Sequence, residues 1–182
     1  MTSEFNPFTD RLSRDIRNDL SVSLAKAIEI GSLQPVQAVA DHFLAGRLPE
    51  AHLQYINSRL QNYADAINRL PANTEDYMSA ATILWDLKLF FEVHEILEPE
   101  WIKAQGDRKL QLQALIRAAG VYINLELDYR DRAAKIGGKA VPVLIRFQKD
   151  LRKDLDVEKL IRALQELTPI APKISLKSET DA

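Results

Sequence analysis

Cysteine is absent from the chain, which excludes a disulfide framework, a thiol nucleophile and every thiolate metal site. Glycine is scarce, with six residues in 182, and no Asn-Gly or Asp-Gly turn joins alternating stretches, so hairpins and sheet are not expected. No apolar run approaches the ~20 residues that span a bilayer. Neither sign of charge dominates: Lys+Arg is 24 and Asp+Glu is 26, so nothing draws the whole molecule to nucleic acid or an anionic membrane. The start, Met1-Thr2-Ser3-Glu4-Phe5-Asn6-Pro7, has an early acid and neither a basic nor an apolar region. No secretory signal and a cytoplasmic location are therefore expected.

What is present is an ordinary globular mix, 46% hydrophobic and 27% charged, long enough to bury roughly 70% of its unfolded surface without a staple. Apolar residues recur with helical spacing along most of the chain, and Pro and Gly fall mostly between the periodic stretches. Helices are expected at about 10–30, ending at Gly31; after Pro35, ending at Gly46; from Pro49 to about Leu70; from a cap at Asn73 or Thr74 through to Trp101; at about 108–129; as two short pieces around Gly137-Gly138 and Pro142; and at about 157–167. The fold class is all-α: an antiparallel bundle of about six to eight helices with no sheet. Residues 1–70 read as a helical extension packed on the bundle, 71–168 as the main helical domain, and 169–182 as a disordered tail after Pro169.

The most informative segment runs from Leu87 to Trp101. On a wheel continued from the helix start, Ala80, Ile83, Leu84, Leu87, Phe90 and Phe91 form an apolar stripe. His94 and Glu98 fall in its middle, Glu95 at its margin, and Glu92 on the solvent side. A carboxylate inside such a stripe is costly unless paired, and His94 and Glu98 are spaced to meet. Pro99 should end or kink the helix beside them. The next helix is apolar nearly all round, with a narrow strip of Gln113, Arg117 and Asn124. Arg117 is the expected counter-charge for Glu98 and Glu95 across an antiparallel pair. The candidate polar cluster is thus His94, Glu95, Glu98, Trp101, Gln113, Arg117 and Asn124, with Trp101 expected mainly to pack.

Phe90-Phe91-Glu92-Val93-His94-Glu95-Ile96-Leu97-Glu98, with Trp101 beyond, resembles the signature of the domain-of-unknown-function family numbered 309. Leu112-Gln113-Ala114-Leu115-Ile116-Arg117-Ala118-Ala119 resembles its second block. The resemblance covers about 74–140. This chain departs from it with Ala114 in place of Gly, Arg117 in place of Gln, and Asn124 where a His is common. The resemblance implies an all-helical bundle and no particular activity.

Three functions fit these residues. The first, and the expected one, is a scaffold or interaction module whose polar network fixes helix register. The second is a metal-assisted or acid–base hydrolase, with His94 as base or ligand and Glu95 and Glu98 as ligands or orienters. His94-Glu95-Ile96-Leu97-Glu98 differs from the His-Glu-x-x-His zinc motif in its last position. No cofactor is expected, with a divalent metal on His94, Glu95 and Glu98 as the alternative. The third is an anion binder using the basic stretch 129–153, with Arg146, Lys149 and Arg152 as its residues. That stretch holds eight bases against two acids. Few aromatics interleave with them, so nucleic acid is not an expected partner. A homodimer is the one self-association considered, and no membrane contact is expected.

Overall fold

The computed structural model describes residues 4–70 and 76–176. The chain divides into two compact units, Met1–Glu75 and Asp76–Ala182. Among the described residues there are helices and no strands, as the all-α expectation required. The expected break at Pro71-Ala72-Asn73 and the cap at Asn73 or Thr74 lie outside the described residues.

Unit 1 holds α1 (Arg11–Ile30), α2 (Gln34–Leu44) and α3 (Glu50–Arg69), with α1 packed on both others. Asp10 caps α1, accepting the Ser13 amide at 2.7 Å and the Ser13 hydroxyl at 2.5 Å. These two bonds, aided by His52, hold the Asp10 carboxyl down at about 2, because each stabilises the ionised form. The helix closes at Gly31, whose φ of 63° only glycine adopts without strain. The Ser32 amide then reaches back to the Ala27 carbonyl at 3.0 Å. Ile16, Leu20, Leu24, Val36, Ile56 and Tyr63 fill the core of this unit.

Unit 2 holds α4 (Tyr77–Asp86), α5 (Phe90–Lys103), α6 (Gly106–Leu125), α7 (Arg130–Arg146), the short α8 (Gln148–Leu151) and α9 (Val157–Glu166). Asp76 caps α4 through bonds from the Met78 and Ser79 amides, each 3.1 Å. The central element is α6, which packs on α5 and α7. Its buried residues, among them Leu112, Ala114, Leu115, Ala118 and Val121, surround the helix axis. Trp85, Phe90 and Tyr122 form a mutual aromatic cluster with ring centroids 5.1–5.3 Å apart, joining α4, α5 and α6. Each such pair contributes about 1 kcal/mol beyond simple burial. Burial raises the pKa of the Tyr122 hydroxyl, which bonds Thr168 Oγ1 at 3.2 Å.

Three elements differ from the sequence expectation. The single helix expected up to Trp101 is two helices, α4 and α5, separated at Leu87-Lys88-Leu89. Lys88 takes φ 60°, its amide bonds the Trp85 carbonyl at 2.8 Å, and the Leu89 amide bonds the Leu84 carbonyl at 2.9 Å. This is a left-handed helix closure with lysine where glycine is usual. Conversely, the two pieces expected around Gly137-Gly138 are one continuous α7 that runs through Pro142. Gly137 lies at a close helix crossing, where an added Cβ would meet Val121 Cγ2 at 3.6 Å and the Leu164 carbonyl at 3.8 Å. The tail expected to be disordered from 169 is, as far as residue 176, a packed segment with Ile174 buried. A buried isoleucine and polar partners on α4 outweigh the prolines there.

Candidate functional site

The position of His94 follows from the break before it. Because α5 starts afresh at Phe90, its rotation is not inherited from α4, and its buried stripe of Phe90, Val93 and Leu97 is centred about a quarter turn from the expected one. His94 and Glu98 therefore lie at the margin of the core instead of its centre. The side chains of His94 and Glu95 are 33% and 34% exposed, and Glu98 is half-buried. Glu92, expected to face solvent, is 1% exposed. The helix also continues through Pro99 to Lys103 instead of ending at the cluster.

His94 Nδ1 and Glu95 Oε1 are 3.1 Å apart. One ring nitrogen of His94 and one carboxylate oxygen each of Glu95 and Glu98 lie within 4.8 Å of one another. Among the described residues no other trio of His, Asp and Glu converges this way. The Phe91 ring lies nearly parallel to the His94 imidazole, with centroids 6.2 Å apart and planes at 11°, one turn earlier on the same helix. Residues 90–103 carry four glutamates, one histidine and one lysine, so the local charge is strongly negative. Ligand–metal bonds of about 2.0–2.2 Å require donors roughly 3–3.5 Å apart. The His94–Glu95 spacing of 3.1 Å meets that.

The other half of the expected cluster does not join it. Arg117 is half-buried and forms no ion pair with Glu95 or Glu98 among the described residues; Glu95 meets His94 instead. Asn124 turns back on its own helix, its Nδ2 donating to the Gly120 carbonyl at 2.8 Å, which satisfies a buried amide locally. Gln113 is half-buried, and no side-chain bond ties it to His94 or the glutamates among the described residues. Trp101 is half-buried with Lys109 Nζ 5.1 Å from its ring centroid, a packing and cation–π contact. The antiparallel α5–α6 pair forms as expected; the charge pairing across it does not, because the rotation of α5 turns the acids aside.

The basic stretch is a solvated face. Arg146 pairs with Asp107 at 3.4 Å and Arg152 with Glu158 at 3.4 Å, while Lys149 is exposed. Carboxylates thus already answer two of the three charges. The sequence reading missed a second polar knot: Arg108 donates to the Tyr77 hydroxyl at 2.8 Å and to Gln111 Oε1 at 3.1 Å. A buried glutamine at the start of an otherwise apolar helix was its only signal.

Unit 2 is thus a helical domain with a half-exposed imidazole–carboxylate face. Residues 78–136 match the model of a family described as Domain of unknown function (DUF309). The match spans α4 to the middle of α7 and confirms, over that segment, the resemblance carried by residues 90–101 and 112–119. No curated protein and no solved structure matches the chain.

Proposed function

We propose that the protein binds a divalent metal ion of the zinc or manganese class at His94, Glu95 and Glu98 and supports metal-assisted hydrolytic chemistry there. The observation that carries this reading is the convergence of three ligand atoms within 4.8 Å on a half-exposed helix face. One imidazole nitrogen and two carboxylate oxygens leave coordination positions for water and substrate, as catalytic sites do and closed structural sites do not. Two carboxylates with a neutral imidazole match a dication in charge. Elemental analysis of protein purified without chelator tests the reading, together with calorimetric titration of zinc and manganese. About one equivalent per chain is expected, with a strong loss in His94→Ala and Glu98→Gln. Protein that stays folded yet takes up neither ion overturns it.

A scaffold or interaction role, compatible with metal binding, is favoured by a different observation. Exposed Ile102, Leu110 and Ile145 stand at the end of α5, the start of α6 and the end of α7. The Arg146–Asp107 pair brings these three helix ends together. Sedimentation equilibrium of wild type and Ile102→Glu tests this reading; a concentration-dependent dimer lost in the variant supports it, and a monomer in both overturns self-association.

A further inference from the structure

Residues 170–176 form no helix, yet they are held at four points. The Pro172 carbonyl accepts from Trp85 Nε1 at 2.8 Å. The Ile174 amide donates to Asp86 Oδ1 at 2.7 Å, and the Ile174 carbonyl accepts from the Asp156 amide at 2.8 Å. Ser175 Oγ donates to Asp86 Oδ2. The Ile174 side chain is 3% exposed and, with Met78, Ala81, Val93, Leu97, Leu115 and Leu155, encloses a small apolar cavity of about 10 Å³. Its neighbours Ile170 and Leu176 are exposed. Recognition therefore uses backbone groups, one aliphatic side chain and one hydroxyl.

The groove itself demands such an occupant. Trp85 is buried, and a buried indole N–H needs an acceptor. Asp86 is the last residue of α4, where a carboxylate meets the negative end of the helix dipole; the donors from 174 and 175 offset that. Among the described residues neither side chain has another hydrogen-bond partner. Trp85 and Asp86 lie inside the family segment 78–136, whereas residues 170–176 lie outside it.

The geometry points to a peptide-docking groove on unit 2, built from Trp85, Asp86 and the apolar pocket between α4, α5 and α6, that residues 170–176 occupy in cis. In trans it takes an extended peptide of another protein with the same chemistry: a buried Ile or Val, a free carbonyl two residues before it, and Ser or Thr directly after it. Main-chain bonds supply affinity and the single pocket supplies selectivity, as in other captures of extended peptides. The tethered segment acts at an effective concentration on the order of mM, so a free peptide enters only when the segment lifts. With one buried side chain, the segment belongs to the locally opening part of the structure.

Fluorescence anisotropy of the full chain with a labelled peptide copying residues 169–176 tests this. Ile174→Gly, which vacates the pocket and keeps the tether, should bind the peptide at least ~10-fold more tightly than wild type. Adding Asp86→Ala should remove that gain. A folded Ile174→Gly chain that binds no better than wild type overturns the proposal, as does a gain that survives Asp86→Ala. Should Ile174→Gly unfold, native-state hydrogen exchange of the wild type decides. The Ile174 amide should then exchange at least ~10-fold faster than that of Leu115, and equal protection of the two overturns the proposal.

Discussion

Two histidines in this chain meet carboxylates, with opposite results. In unit 1, His52 is 2% exposed, and its Nε2 lies 3.1 Å from Ser13 Oγ and 3.2 Å from Asp10 Oδ2. The same carboxylate oxygen receives the Ser13 amide, and the Phe5 ring stands edge-on to the imidazole at 5.3 Å. Three protein groups, the Ser13 amide, the Ser13 hydroxyl and the His52 ring, thus converge on one oxygen of Asp10 at the start of α1. In unit 2, His94 shares one contact with Glu95, and Glu98 approaches without a cationic partner among the described residues. The residue types are alike; the exposure of the imidazole differs, 2% in one and 33% in the other. The buried imidazole is tied into a helix start, whereas the one on α5 stands within reach of solvent.

That contrast can be broken at several points. The largest effect expected is in His94→Ala, which should weaken zinc or manganese affinity by about 100-fold or more in calorimetry while the thermal melt stays close to wild type. An equal melt shift and no change in affinity would make the two histidines alike. His52→Ala should destabilise by about 2 kcal/mol, since it removes a buried ring and a bond to Ser13; urea denaturation measures this, and metal binding should be unaffected. Asp10→Ala should cost about 1 kcal/mol as a lost helix cap. The wild-type Asp10 carboxyl, held near 2 against an ordinary 3.8, also gives an acid dependence. Its contribution is complete above about pH 4 and is lost as pH falls through about 2. Asp10→Asn should keep part of the cap and flatten that acid limb. Arg117→Ala should change both stability and metal affinity by less than about 0.5 kcal/mol; a large loss of either would restore the charge pairing read from sequence.

The limits of that reading lie in how helices end. The ends at Gly31 and near Leu44 were legible because Gly31 supplies a left-handed residue and Gly46 and Pro49 follow α2. The closure after α4 uses the same backbone geometry with Lys88, and Asp128 plays a similar part after α6; neither residue announces it. Missing the turn at Lys88 carried the wheel across a break. This misplaced Glu92 on the surface and sent Glu98 toward Arg117. The local trio survived the error, because contacts within one or two turns depend only on spacing within α5. Gly137 misled in the other direction, since its lack of a side chain serves a helix crossing that is invisible in a single sequence. Ile174 was hidden because its partners lie about ninety residues earlier.

The buried girth of α6 has a consequence for how the chain is made. This helix emerges from the ribosome after α5 and before α7, its two principal neighbours. Until the α7 residues have been synthesised, one flank of an oily rod stands uncovered. Closure of α7 over Val121 and Gly120 is what conceals it.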